Sequence, residues 1–192
     1  MKTQILLYTT LFIMLSCKKE TVTTTYPVMK YQDLQNIKVS LNQSSVSIDV
    51  DNNGTTDLLF AVGVTFDPIT QVTEKQAQLI CVVGTFIPIK SNTQSPILNF
   101  GDRISTDAFP GYQWNNAWLS VLARKNLTLN NSSWTGDWKD ASHKYIPFTV
   151  EKGASIVYFG WLELSFDATT ETITLHKCAI STENNKAVKA GN

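Results

Sequence analysis

The sequence lacks several features that would point to a particular function. Its 16 basic side chains equal its 16 acidic ones, so no electrostatic excess favours a nucleic-acid partner. It contains no Gly-x-Ser-x-Gly, His-Glu-x-x-His or phosphate-binding glycine loop. The two histidines, His143 and His176, are far apart in sequence, and we expect them to be solvated or structural. We therefore expect no enzymatic activity.

The N-terminus has the layout of a secretory signal. Lys2 precedes an apolar run from Ile5 to Leu15, and the small residue Ser16 stands directly before Cys17. A bilayer-crossing helix requires about 20 apolar residues, so this run of eleven is too short for a transmembrane anchor. The sequence Met14-Leu15-Ser16-Cys17 resembles the lipobox of bacterial lipoproteins. An ordinary signal peptide with an incidental cysteine is the alternative.

Lipidation of Cys17 would define the organisation of the whole chain. We expect residues 1–16 to be a lipoprotein signal peptide, residues 17–30 to be the lipidated cysteine and a flexible linker, and residues 31–192 to be one domain. Several acyl chains on Cys17 hold a protein stably on a bilayer. The partner is then a membrane, and the location is the cell envelope, at the outer membrane on its periplasmic or its surface face. The Thr-rich stretch 21–25 suits a polar spacer.

Two cysteines remain after Cys17 is assigned to lipid. Cys81 and Cys178 both lie in apolar, strand-like surroundings, where a reduced cysteine behaves as a small hydrophobic residue. An extracytoplasmic location equally permits a disulfide between them. The Cβ geometry that decides between the two states is not readable from sequence.

The body of the chain predicts strands. Val46, Ile48 and Val50 alternate with polar residues, and a second alternating run extends from Asp57 to Phe66. Asn52-Asn53-Gly54 lies between these two runs and predicts a hairpin, because Asn and Gly tolerate positive φ. Further runs predict strands over 77–86, 117–125, 145–150, 155–166 and 171–180. We expect an all-β fold, a two-layer antiparallel β-sandwich of jelly-roll-like type, with a closed barrel as the alternative.

The first hairpin carries a calcium-type pattern. Residues 49–57 fit D-x-D-x-N-G-x-x-D, the first nine positions of an EF-hand loop. The twelfth position is Phe60, where an EF-hand has Glu, so the pattern is not an EF-hand. A structural Ca²⁺ and an ordinary solvated turn are both compatible with it. The predicted oxygen ligands are those of Asp49, Asp51, Asn53, Thr55 (through its backbone carbonyl) and Asp57.

Three segments carry a family resemblance. Residues 144–150, the Tyr-Phe-Gly-Trp element at 158–161 and the ending at 184–191 resemble a β-rich module of secreted and surface-anchored bacterial proteins, a family of uncharacterised function. The aspartate-rich hairpin at 49–57 is similar to one near the start of that module. The resemblance implies a β-sandwich in an extracytoplasmic setting and implies no activity.

A cluster of aromatic residues suggests a ligand surface. Trp114, Trp134 and Trp138 are interleaved with amides and acids, a composition found where aromatic rings stack on sugars. Tryptophans that close the end of the core are the simpler interpretation. We expect a non-enzymatic binding module for a glycan or protein partner. The alternative is a carbohydrate-binding protein or polysaccharide hydrolase that uses residues 112–140, with Asp137 or Asp140 as the reactive acid.

Overall fold

The structure is a computed structural model that describes residues 25–42, 45–90, 93–116 and 119–192. Cys17, the signal segment and the first part of the linker lie outside these residues. The described residues form strands and turns and contain no helix. Accordingly, none of them belongs to a helix that is long and apolar enough to span a bilayer.

Among the residues that the structure describes, thirteen strands form three antiparallel sheets. The strands are β1 (Met29–Ser40), β2 (Val46–Ile48), β3 (Leu58–Asp67), β4 (Val72–Cys81), β5 (Thr85–Ile89), β6 (Arg103–Ile104), β7 (Gln113–Asn116), β8 (Leu119–Leu127), β9 (Ser132–Thr135), β10 (Lys144–Glu151), β11 (Val157–Asp167), β12 (Thr172–Ser181) and β13 (Val188–Lys189). A six-stranded sheet has the order β1-β12-β11-β10-β5-β7, and a five-stranded sheet has the order β2-β3-β4-β8-β9. Strands β13 and β6 form the third sheet.

The predicted β-sandwich is confirmed. The main core lies between the six-stranded and five-stranded sheets, and Phe60, Leu79, Phe148 and Leu162 are among its fully buried side chains. Successive side chains in a strand point to opposite faces of the sheet. Each of these residues lies on the face of its strand that points to the core. Burial of such apolar faces is the main source of the fold's stability.

The first hairpin is also confirmed. Val46 pairs with Phe60 and Ile48 with Leu58, so β2 and β3 are antiparallel neighbours. Between them, Asn52 and Gly54 have φ angles of 57° and 90°. These are the left-handed conformations for which Asn and Gly are suited.

The observed strands differ from the sequence prediction in several places. The run 77–86, predicted as one strand, is divided between β4 and β5 by a turn at Val82–Gly84, where the chain crosses from one sheet to the other. Apolar core residues precede and follow the turn, although they belong to different sheets. The run therefore looks like one continuous strand in the sequence. Strand β1 begins at Met29, and most of its side chains are exposed because it is an edge strand. Its sequence therefore lacks a clear alternation.

The outer face of the six-stranded sheet carries a second, smaller core. Trp161, Phe159 and Tyr145 pack there with Ile104 and Val188 of the two-stranded sheet. This cap covers only part of the face. The same face continues along β11 beyond Trp161 to Glu163 and Ser165, and there it is open.

Candidate functional site

The aspartates of the first hairpin converge. Carboxylate oxygens of Asp49, Asp51 and Asp57 all lie within 4.8 Å of one another. Asp51 and Asp57 are buried, while Asn53 and Thr55, the other two predicted ligands, are exposed. Three carboxylates at this spacing are a donor set that suits a hard divalent cation such as Ca²⁺.

Internal hydrogen bonds also hold two carboxylates of this cluster, those of Asp49 and Asp57. Asp49 accepts from the backbone N–H groups of Asn53 and Gly54 at 3.1 and 2.7 Å. Asp57 accepts from the N–H of Val50 at 2.8 Å and from the hydroxyl of Thr85 at 3.2 Å. The loop can therefore hold its shape with its own donors. The side-chain oxygen of Asn53 is bound to Thr55 rather than pointing towards the carboxylates.

Lys152 is the charge that faces the cluster. Its Nζ lies 2.7 Å from Oδ2 of Asp51, whose side chain is 4% exposed. The hydrogen bond to Asp51 raises the pKa of Lys152. Burial, together with the charges of Asp51 and Asp49, raises the pKa of Asp57, against the lowering effect of the Val50 N–H. The ammonium group and a metal ion would thus compete for the same carboxylate oxygen.

The two cysteines are not joined by a disulfide. Both are buried. Cys81 Sγ contacts the carbonyl oxygen of Asn115 at 3.8 Å, and Cys178 Sγ contacts Oε1 of Gln32 at 3.6 Å. Burial raises the pKa of Cys178 to about 12.

The three tryptophans proposed as a ligand surface do not lie together. Trp138 is fully buried in the main core, and its indole N–H donates to the carbonyl of Ser95 at 3.3 Å. Trp134 packs against Phe166 with ring centroids 5.2 Å apart, while Trp114 belongs to the cap on the other sheet. Their aromatic faces are thus used in packing. Asp137 and Asp140 are exposed in the turn before Ala141, and Asp140 is paired with Lys139.

An open polar cleft lies on the outer face of the six-stranded sheet, beside the cap. Its volume is about 410 Å³, and its walls come from β1, β11, β12 and the residue before β10: Tyr31, Gln32, Asp33, Asn36, His143, Glu163, His176 and Lys177. The sequence did not predict this site. The alternation of Trp161, Glu163 and Ser165 along β11 was the available signal that these residues share a face.

Two irregularities in strand pairing build the cleft. Lys177 pairs with Glu163 on one side and Asp33 on the other, but Leu175 pairs with Leu164 and Ile37. His176 is therefore the extra residue of β12 in its ladder with β11, whereas in the ladder between β1 and β12 the extra residues belong to β1. On β1 the bulge includes Gln35 and Asn36, with φ angles of 52° and 56°. Bulges redirect side chains and are frequent beside functional sites, and strained φ angles persist where surrounding structure enforces them.

A chain of hydrogen bonds fixes the two imidazoles. Nδ1 of His176 lies 2.6 Å from Oδ1 of Asn36, and its Nε2 lies 2.8 Å from Oγ of Ser165. With Asn36 as the acceptor, Nδ1 carries the proton and Nε2 accepts from the hydroxyl. His143 stacks on His176 with ring centroids 4.2 Å apart. Burial and the neighbouring His143 lower the pKa of His176, which favours the neutral form of its ring.

The hydrogen-bonded series of the Ser165 hydroxyl, the His176 imidazole and the Asn36 amide has the same order as the groups that activate a serine nucleophile in hydrolases. Two observations favour a positioning role instead. Ser165 is not among the residues that line the cleft. Its Oγ also accepts the backbone N–H of His143 at 2.9 Å. A molecule in the cleft would therefore meet the imidazoles and not the hydroxyl.

Glu163 lies at the floor of the cleft. Its side chain is 7% exposed, and Oε1 lies 2.7 Å from Nδ1 of His143. Oε2 is fully buried and accepts no hydrogen bond. The ammonium of Lys177 is 3.5 Å from Oε2, close enough for ionic attraction but without hydrogen-bond geometry. Buried carboxylate oxygens without a donor are uncommon and need an explanation.

Comparison with known proteins adds no assignment. No family model matches the chain, and neither a curated protein nor a solved structure matches it. The resemblance to the β-rich bacterial module thus stays a prediction from sequence.

Proposed function

We propose that this protein is a lipid-anchored lipoprotein of the bacterial cell envelope that acts as a non-enzymatic binding module. The observation that carries the binding role is the open cleft between the bulges of β1 and β12. Eight residues line the cleft. One is the aromatic residue Tyr31, which is 57% exposed, and the other seven have polar side chains that can form hydrogen bonds. Convergent polar groups beside an aromatic ring are typical of small-ligand sites.

The binding role can be tested by photocrosslinking in the cells that make the protein. A benzophenone amino acid would replace Gln35, which is exposed beside the cleft. The matched control would carry it at Leu129, which is 91% exposed in the turn between β8 and β9 of the other sheet. We expect adducts from position 35 well above those from position 129. Equal adduct yields at both positions would contradict the proposal.

Anchoring through Cys17 is a separate part of the proposal. It is supported by the charge, apolar run and small residue that precede Cys17. Cys17→Ser should remove incorporation of labelled palmitate and release the protein from the membrane fraction. A variant that still sediments with membranes would overturn the assignment, and Cys81→Ser provides the control for loss of a thiol as such.

We propose further that a structural Ca²⁺ binds at the aspartate hairpin. The support is the 4.8 Å convergence of Asp49, Asp51 and Asp57 within a calcium-type pattern. A ligand at 100 times its Kd stabilises the folded state by about 2.7 kcal/mol. For a domain of this size each kcal/mol raises Tm by about 2–4 °C, so saturating Ca²⁺ should raise Tm by roughly 5–10 °C over chelator.

Substitutions sharpen the calcium test. Asp51→Asn should abolish the rise in Tm, whereas Asp67→Asn, at the exposed end of β3, should retain it. Lys152→Gln should strengthen Ca²⁺ binding, because it removes the ammonium that lies 2.7 Å from Asp51. An identical Tm in Ca²⁺ and in chelator for the unaltered protein would remove calcium from the proposal and leave the binding role standing.

A further inference from the structure

The strongest unexplained feature of the cleft is its buried acceptor. Oε2 of Glu163 lies among cleft residues without a hydrogen-bond donor, although the other oxygen of the same carboxylate is bound to His143. An ionised carboxylate only accepts hydrogen bonds. On burial, Oε2 loses the hydrogen bonds that it would accept from water. A ligand that donates a hydrogen bond to this carboxylate would therefore replace them.

The charges around Oε2 limit what that donor can be. A cationic ligand would approach the ammonium of Lys177, which is 3.5 Å from Oε2. An anionic ligand would meet two carboxylates, those of Glu163 and Asp33, against this single ammonium. Burial and the neighbouring His143 lower the pKa of His176, which disfavours a positive charge on its ring. A neutral ligand with hydroxyl donors supplies hydrogen bonds without repulsion from either the ammonium or the carboxylates.

Tyr31 adds an apolar platform at the rim of the cleft. Tyr31 is 57% exposed, and its ring makes an edge-to-face contact with Trp161, with ring centroids 6.1 Å apart and planes at 66°. Contact with a buried indole orients the ring, while the residue remains exposed. Aromatic faces pack against apolar surfaces such as the C–H face of a pyranose.

We infer that the cleft binds a neutral pyranose sugar unit of a glycan. The C–H face of the sugar stacks on Tyr31, and one hydroxyl donates to the carboxylate of Glu163. Neighbouring hydroxyls exchange hydrogen bonds with the Lys177 ammonium, which only donates, and with the Asn36 amide, which does both. The Ser165–His176–Asn36 chain holds Asn36 in place, so these three residues position the ligand's partners. This inference rests on the proposed binding role and names its ligand class.

A peptide is a weaker fit to the same surface. Strand β1 is an edge strand, and a peptide could pair with it only along an unbroken ladder. The bulge between Asp33 and Ile37 interrupts that edge in the middle of the cleft. Interrupted edges resist pairing with additional strands.

The test measures binding of defined probes to the full-length lipoprotein in detergent. The probes are neutral tetrasaccharides of glucose, mannose and N-acetylglucosamine, with the open-chain polyol glucitol and the polyamine spermidine for comparison. Calorimetry should detect at least one tetrasaccharide and neither comparison compound. Glucitol carries hydroxyls without a flat C–H face, and spermidine carries cationic donors. Spermidine binding without saccharide binding would overturn the inference.

Variants then connect binding to the cleft. Tyr31→Ala should abolish detectable binding, whereas Tyr31→Phe should retain it because the ring remains. Phe66→Ala is the matched control, since Phe66 is 60% exposed on β3 of the other sheet, and its affinity should be unchanged. Glu163→Gln should weaken binding roughly tenfold or more, the size of effect expected for hydrogen bonds to charged groups. Unchanged affinity in Tyr31→Ala would refute the stacking geometry.

The two proposals can fail independently. Crosslinked adducts at position 35 combined with no binding of any tetrasaccharide would overturn the sugar assignment and leave the binding module in place. Absence of both would overturn the binding module as well. Melting curves of each variant separate loss of ligand from loss of fold, and Tyr31→Phe keeps the test decisive should Glu163→Gln unfold.

Discussion

Gly160 lies within β11, between the neighbouring strands β10 and β12. It pairs with Phe148 on β10 and with Ile180 on β12. A Cβ atom at this position would lie 2.4 Å from Cζ of Phe148 and 2.6 Å from the carbonyl oxygen of Ala179. Ordinary van der Waals contacts to a Cβ begin near 3.4 Å. The Phe148 ring is fully buried, and the carbonyl belongs to a strand that is paired on both sides.

Gly160→Ala should therefore destabilise the protein strongly. Overpacking of a core costs about 1–3 kcal/mol, and we expect the upper end, about 3 kcal/mol, because neither obstacle can move independently. At about 2–4 °C per kcal/mol, Tm should fall by roughly 6–12 °C. Thermal unfolding followed by circular dichroism, together with urea titration of tryptophan fluorescence, measures both quantities.

Gly63→Ala provides the matched control. Its Cβ would lie 2.2 Å from Nε2 of Gln78, the far end of a flexible side chain that can rotate away. Both glycines lie within long strands and outside the positive-φ region. Since Ala loses less backbone entropy than Gly in a strand, Gly63→Ala should be neutral or slightly stabilising. If Gly160→Ala changes Tm no more than Gly63→Ala does, the close-approach explanation is refuted.

Three further predictions concern groups in other parts of the fold. Trp138→Ala should cost about 3–5 kcal/mol in denaturant titration, because the indole is fully buried in the core; retention of wild-type stability would restore a surface role. Cys178, with its pKa raised to about 12 by burial, should resist alkylation at pH 8 until the protein unfolds, and rapid labelling of the native protein would contradict its burial. Hydrogen bonds from Thr170 and the Thr169 N–H lower the pKa of Asp167 below 3.8, so its contribution to stability is present above that pH and lost as pH falls through the lowered pKa. The urea midpoint of Asp167→Asn should thus lie below wild type at pH 7 and converge with it once the pH falls below the lowered pKa, whereas a deficit independent of pH would argue against an ionic contribution.

Local patterns in the sequence predicted the sandwich and its first hairpin. The alternation of Val46 and Ile48 follows directly from the two-residue period of a strand, and Asn52 and Gly54 adopt the positive φ angles that their residue types allow. Such features depend on neighbours within a few residues. Composition did not predict the position of Trp138, because a tryptophan suits a ligand surface as well as a core. Only the fold determines which of the two environments the residue occupies.

The cleft depends on long-range arrangement and was missed for that reason. Asn36 and His176 are 140 residues apart, yet they share a hydrogen bond. They meet because β1 and β12 pair and because both strands bulge at the same point. A bulge carries no residue type that distinguishes it in a single sequence. His143 and His176, expected to be solvated or structural from their separation, stack for the same reason.

Strand β1 has a mechanical role that follows from its position at the sheet edge. It is the strand through which the proposed membrane tether would transmit force to the domain, and it is hydrogen-bonded to the six-stranded sheet through its ladder with β12. It also supplies Tyr31 and Asn36 to the cleft, while β11 and β12 supply Glu163 and Lys177. A bound ligand would thus fasten the loaded edge strand to the interior of the sheet. Pulling on the lipid anchor should detach β1 at a higher force when the cleft is occupied. Ligand binding would then stabilise the folded domain against unfolding under tension.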